Sequence, residues 1–324
     1  MKKRLNYLRR ILKAYLTKSD SQLTFWHGDP AIHPDFLTRD LGPYYMVFRE
    51  KADYKAYMDD MGIPMLNYHG EVGLQYNPIA IAQYGLGNFN KYLLSHDDLD
   101  LKKFINASNW LTDQLQLNTD GIWVWNHLFD WEYRDTLKSP WYSALSQGQG
   151  ISCLLRAHKL TDEKKYLEAA EKALESFFVD MDQGGVIHRD DQGWLWLEEA
   201  IVHPPTHILN GFLWAIWGLY DYYIYTGDLR TKEVYDQGIK TLIHNLPSFD
   251  TGFWSLYEHA DKKMQMLASP FYHRLHIVQL KIMSQLSGEK LFSEYADKWQ
   301  KYQDNFIYYY SALFYKAVFK IIYY

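Results

Sequence analysis

Glu198 and Glu199 stand side by side between the aromatic run Trp194-Leu195-Trp196-Leu197 and the pair Pro204-Pro205. Adjacent acids in such a setting can do proton chemistry. Burial or a neighbouring carboxylate raises a carboxyl's pKa, and a carboxyl still protonated near neutral pH can donate. A second cluster follows: Tyr257-Glu258-His259, then Phe271-Tyr272-His273-Arg274, with His276 one helical turn on. Tyrosine works as a base only where positive charge lowers its pKa from about 10. His273, Arg274 or His276 could supply that charge. Read alone, the paired acids also fit a surface loop, and the tyrosines fit packing.

Other chemistries find less support. His259, His273 and His276 invite a metal, but no acidic or cysteine set accompanies them, so no metal is expected. The chain has no P-loop, GxGxxG, HExxH, CxxC or GxSxG motif, and no cofactor is expected. Glycoside hydrolysis wants two carboxylates flanking the scissile bond, and Glu199 has no compelling partner in sequence.

The elements that must position these residues are legible as an internal repeat. Apolar helices with polar starts recur around Gln83, Gln147, Asn210 and Gln279, at spacings of 63 to 69 residues. Each ends at a polar break, and a more charged helix follows. In the clearest case Tyr166, Ala169, Ala170, Ala173, Leu174 and Phe177 form one apolar stripe. Apolar first helices belong inside and amphipathic second helices outside. Three excursions with Gly turns, at residues 121–125, 184–188 and 252–257, read as β-like. The pattern predicts an all-α fold, an (α/α) toroid of about four inner–outer helix pairs with short β-hairpin-like excursions. In that fold the starts of the inner helices gather at one mouth, whose free N–H groups suit carboxylates.

The stretches that carry this pattern also resemble a known family. Residues 78–86, Trp141 to Ser152 with its Gln147-Gly148-Gln149-Gly150 core, Leu197-Glu198-Glu199, Leu209-Asn210-Gly211-Phe212, Gly218-Leu219-Tyr220-Asp221, Leu256-Tyr257, Phe271-Tyr272-His273 and residues 276–280 match, in order, the C-terminal domain of the D-glucuronyl C5-epimerases. The similarity spans roughly residues 70 to 302. It implies conversion of D-glucuronate to L-iduronate in a heparosan-like or other uronate polymer, by proton abstraction and return through an enolate. The implied catalytic residues are Glu199, Tyr257 and Tyr272, with Tyr272 and Glu199 as the opposed proton carriers. Expected substrate contacts are Glu198, His273, Arg274, His276, Gln147, Gln149 and Asn210, with Trp123, Trp125, Trp194 and Trp196 as sugar platforms. The family's Tyr after the paired acids is replaced by Ala200, and its Arg after the first later Tyr is missing. A uronate lyase sharing the enolate, and a glycan-binding helical repeat protein, are the alternatives.

The 324 residues divide into a basic helix and irregular cap at 1–70, the epimerase-like toroid at 71–304 and an aromatic helix at 305–324. Net charge of −5 gives no reason to expect nucleic acid. One cysteine, Cys153, excludes an intramolecular disulfide and agrees with a reducing compartment. No stretch approaches the ~20 apolar residues of a membrane span. Met1–Lys18 has seven basic residues, no acid, and Leu5, Leu8, Ile11, Leu12, Tyr15 and Leu16 at helical spacing. Such a helix either docks on the protein body or lies on an anionic membrane; docking is the first expectation. The expected partner is an acidic polysaccharide met in the cytoplasm, with room for peripheral contact at the inner membrane face and for a homodimer.

Overall fold

In this computed structural model, residues 28–133, 136–260 and 264–323 are described. The basic segment Met1–Lys18 lies outside them. Four inner helices, α1 (Pro78–Ser95), α3 (Ala144–Thr161), α5 (Leu209–Thr226) and α7 (Pro270–Ser287), alternate with four outer ones. These are α2 (Asp98–Asp113), α4 (Lys164–Leu174), α6 (Leu229–Asn245) and α8 (Lys290–Asp304), and a further helix, α9 (Phe306–Tyr323), follows. Each inner helix packs on its outer partner, and α3 and α5 each lie between two inner neighbours. This is the four-pair (α/α) toroid. Residues 28–52 fill the space beside α1 and α7: the backbone of Phe48 lies against Gly87, and Met46 and Phe48 share a cleft with Phe271 and Leu275.

The division into layers follows from side-chain pattern. In α5 every residue from Leu209 to Tyr222 is buried, whereas α4 buries only Tyr166, Ala169, Ala170, Ala173 and Leu174. Starts are fixed by capping. The Asn77 side chain accepts from Ile79 N and Ala80 N, Ser143 from Ser146 N and Ser269 from Tyr272 N. The inner helices come to backbone contact: a Cβ on Gly218 would lie 2.4 Å from Gly148 Cα. Only glycines allow α3 and α5 to pack this closely.

The expected excursions are present. β1 (Leu115–Leu117) pairs antiparallel with β2 (Trp123–Trp125), and β3 (Ile187–Arg189) with β4 (Leu195–Leu197). The third is a single bridge, Asp250 to Ser255. A further small hairpin, Trp131–Glu132 with Thr136–Leu137, precedes α3. The repeat start placed near Gln279 falls inside α7, which begins at Pro270, so Tyr272 occupies its first turn.

On α9, Ala312, Lys316 and Phe319 face inward, while Phe306, Ile307, Tyr310 and Phe314 are exposed. The helix is thus a packed element with an apolar outer face. Among the described residues, no helix is long and apolar enough to cross a membrane. Cys153 is buried beside Ser108, and burial pushes its thiol up to about 12.

Candidate active site

The segment after β4 is clamped at the mouth of the toroid by its own backbone. Glu198 N donates to Val186 O (2.9 Å), and Ala144 N, at the start of α3, donates to Glu198 O (2.9 Å). Glu198 is fully buried and its carboxylate is committed to His207, accepting from Nδ1 (2.5 Å) and from the backbone N (3.1 Å). The His207 ring stacks on Trp196 at 4.2 Å and on His188 at 5.6 Å. Glu198 therefore orients an imidazole.

Glu199 lies over the first turn of α5. Its Oε2 accepts from Asn210 Nδ2 at 3.1 Å. Burial, chiefly, pushes the carboxyl up to about 8; the Asn210 bond opposes this and the Glu198 charge adds to it. Near neutral pH Glu199 is mostly a carboxylic acid with a proton to give. Its seat depends on Gly211, where a Cβ would come within 2.6 Å of Glu199 Cβ. Gly211→Ala is expected to expel the carboxyl toward water. Its pKa, followed by ¹³C NMR of labelled glutamate, should then drop from about 8 toward 4.5. A value that stays near 8 contradicts this account of the site.

Tyr257 and Tyr272 reach the same end of α5. Leu209 N, the first residue of that helix, donates to Tyr257 O (3.1 Å), and Ile208 bridges Glu258. The Tyr257 and Tyr272 rings meet edge to face at 4.8 Å. Glu199, Asn210, Leu209, Tyr257 and Tyr272 thus form one chain of contacts around the α5 start. Tyr257 also packs against the buried cluster Leu137, Ala200 and Ile208, as do Trp131, Tyr133 and Trp141. Tyr133 donates a hydrogen bond to the buried Glu258. Lys316, from α9, places its ammonium 5.7 Å from the Tyr257 ring centre and donates to Leu267 O at 2.5 Å.

Several of the expected contacts have partners within the protein. Gln147 is buried and spent on backbone: Oε1 accepts from Trp125 N, and Nε2 donates to Trp123 O and Ala173 O. Gln149 is buried, and its Oε1 accepts from Gln83 Nε2 at 3.0 Å. Asn210 acts through Glu199. His273 is buried, stacked on Trp254 at 3.8 Å, and its Nε2–H donates to Trp299 O (3.0 Å). Its Nδ1 must then accept from Ser255, whose Oγ in turn accepts from His276 Nδ1 (3.0 Å). Burial lowers His273 to about 3 and His276 well below its ordinary value. Both are neutral at pH 7 and cannot supply the positive charge expected of them beside Tyr272. The Arg274 side chain is 47% exposed and lies 3.5 Å from Asp29.

The four tryptophans are wholly or partly covered. Trp125 and Trp196 are core residues, with Nε1 donating to Leu111 O and to Asp190. Trp123 and Trp194 are half-buried, but Lys172 covers one and His244 stacks on the other. Trp131, Tyr133 and Trp141, from the excursion before α3, are partly exposed aromatics packed on the same cluster as Tyr257. Sequence reasoning missed them, His207 and Lys316. The visible signal for Lys316 was a lysine in line with Ala312 and Phe319 on an otherwise apolar helix face. Among the described residues, no group of three or more His, Cys, Asp or Glu could hold a metal ion.

Comparison with known proteins gives the chain a family. The family described as D-glucuronyl C5-epimerase C-terminus matches residues 117–301. That span contains Glu199, Tyr257 and Tyr272, but not Lys316. A D-glucuronyl C5-epimerase of Caenorhabditis elegans is 35% identical over 186 residues, 53% of this chain and 30% of that protein. The chain thus covers under a third of that curated relative's length. An uncharacterized protein of Methanocaldococcus jannaschii is 23% identical over 75% of this chain and 84% of its own. Among solved structures, an unsaturated glucuronyl hydrolase of Bacillus sp. GL1 superposes with a TM-score of 0.48 at 16% identity. That match covers 70% of this chain and 62% of the hydrolase.

Proposed function

We propose, from the premise that this chain belongs to the D-glucuronyl C5-epimerase C-terminus family, that it is an isomerase converting D-glucuronate to L-iduronate in a heparosan-like or other uronate polymer. The observation that carries the reading is Glu199, held protonated near neutral pH at the helix start where Tyr257 and Tyr272 meet.

Epimerisation removes the C5 proton, which is alpha to the C6 carboxylate, and returns one to the opposite face. Tyr272 takes the proton through its minor phenolate fraction and becomes a phenol. The electron pair of the C–H bond moves into the carboxylate, giving a dianionic enolate. Glu199 then donates its proton to C5 from the other side and becomes a carboxylate; exchange with water resets both groups. Tyr257, edge-on to Tyr272, supports the enolate by hydrogen bonding. Asn210 and Gly211 set the Glu199 position, and the Glu198–His207 pair fixes the strand that carries it.

Incubation with heparosan-type polymer tests the proposal. NMR signals of L-iduronate are the expected result. An unsaturated uronate, seen by its ultraviolet absorbance, would make the protein a lyase. An unchanged product after a screen of acidic glycans would leave a binding protein.

A further inference from the structure

α9 carries an apolar surface that the candidate active site does not use. Phe306 and Phe314 are each 73% exposed, Ile307 71% and Tyr310 51%. With 306, 310 and 314 four apart and 307 alongside, these side chains form one stripe. Beside the stripe, an open groove of about 620 Å³ runs between the helix and Phe253 and Met264. The opposite row, Ala312, Lys316 and Phe319, is buried. α9 is therefore apolar on both sides, and a helix of that kind needs cover on both. A contiguous exposed patch of this sort marks an interaction surface. We propose that the outer stripe of α9 docks the protein on an anionic lipid surface. The proposal is independent of the uronate reading.

Charge selects this occupant. Residues 306–324 contain Lys316 and Lys320 and no acid, although the whole chain holds 39 acidic residues. Met1–Lys18 adds seven basic residues, again with no acid. Nine residues separate that segment from Gly28, enough chain to span about 30 Å. Asp29, the next residue, meets Arg274 on α7, and α9 holds residues 265–267 just before that helix. The basic segment and the apolar stripe are thus close enough to meet one surface together. Each Lys or Arg beside anionic headgroups strengthens attachment. The stripe would enter the boundary with the acyl chains, with the Tyr310 hydroxyl at headgroup level. Other occupants fit less well. A second copy would lay α9 against α9, and Met1–Lys18 would lay seven cations over it. Neither brings an acid to the lysines of α9.

Sedimentation of the full chain with phosphatidylcholine vesicles, with and without phosphatidylglycerol, tests the proposal. Wild type should bind the anionic vesicles, come off them as salt rises, and bind the neutral ones far less. Ile307→Glu and Phe314→Glu should each weaken binding by about tenfold or more, the scale of leaving one large apolar side chain in water. Both side chains are exposed, so turnover of a soluble substrate should not change. A dye that brightens in lipid, attached at Phe314→Cys, reports on the stripe directly, because Cys153 is buried and does not compete for it. Its emission should shift to the blue with anionic vesicles and stay still in buffer. Should either Glu variant not fold, the dye decides alone. An unshifted dye, or binding undiminished in both Glu variants, would leave attachment to Met1–Lys18 and overturn the assignment. Absence of vesicle binding by wild type would overturn it too. A dye already blue-shifted in buffer would then identify the true occupant: a second copy if dilution abolishes the shift, a segment of the same chain if it does not.

Discussion

Glu199→Gln is expected to slow C5 epimerisation by about a thousandfold, within the range for loss of a positioned general acid. The substitution preserves shape and leaves an oxygen for the Asn210 bond, but the amide has no acidic proton. Wild-type turnover should fall about tenfold per pH unit above about 8, where Glu199 loses its proton, and the Gln variant should lack that limb. Stability should move with pH as well. The folded pKa is raised above the ordinary carboxyl value, so the contribution is complete below about 4.5 and is lost as pH rises to about 8. At about 1.4 kcal/mol per unit, a few kcal/mol accumulate over that interval. Urea unfolding should therefore find the variant close to wild type at pH 4.5 and more stable at pH 9. Equal stability at both pH values would mean that the carboxyl is not held in a desolvating seat.

The largest structural effect is expected at the far end of the toroid. Arg156 on α3 and Asp221 on α5 form a buried ion pair at 2.6 Å. Tyr45 OH donates to Asp221 (2.5 Å), and Arg156 Nε donates to Gly42 O (3.0 Å). The pair thus ties residues 42–45 to two inner helices. Asp221→Ala would strand the guanidinium in the core, at a cost of about 3–5 kcal/mol. The double variant Arg156→Met, Asp221→Leu should recover much of that loss, because an apolar pair avoids the desolvation of both charges. Denaturant unfolding of the three proteins gives the answer. A single variant within 1 kcal/mol of wild type, on the order of a surface change, would mean that water reaches the pair.

Sequence periodicity carried the architecture because the two helix types bury different fractions of their surface. The all-round apolar character of residues 209–222 and the single stripe of residues 164–174 translate directly into inner and outer layers. The site was legible where chemistry is local. Glu198-Glu199 sits at the strand end, and Tyr257 and Tyr272 converge on the α5 start. What sequence could not show was the direction of each side chain. Gln147 occupies a helix start at the mouth yet turns inward to hold Trp125, and Arg274 follows two site residues on a helix face that leaves the site. His273 and His276 carry charge in sequence and lose it by burial. Lys316 stands out in sequence as a lysine in line with Ala312 and Phe319, but its approach to Tyr257 comes from α9 packing across residues 264–268, a long-range contact that this local pattern does not specify.

The central claim is most directly tested by hydrogen exchange at C5. Wild-type protein would be incubated with heparosan-type polymer in D₂O, and deuterium at C5 followed by NMR beside the Tyr272→Phe variant. The account predicts deuterium incorporation accompanied by L-iduronate signals in wild type, both greatly slowed in Tyr272→Phe. Exchange undiminished in Tyr272→Phe, or no exchange at C5 in wild type with any uronate polymer, would contradict it.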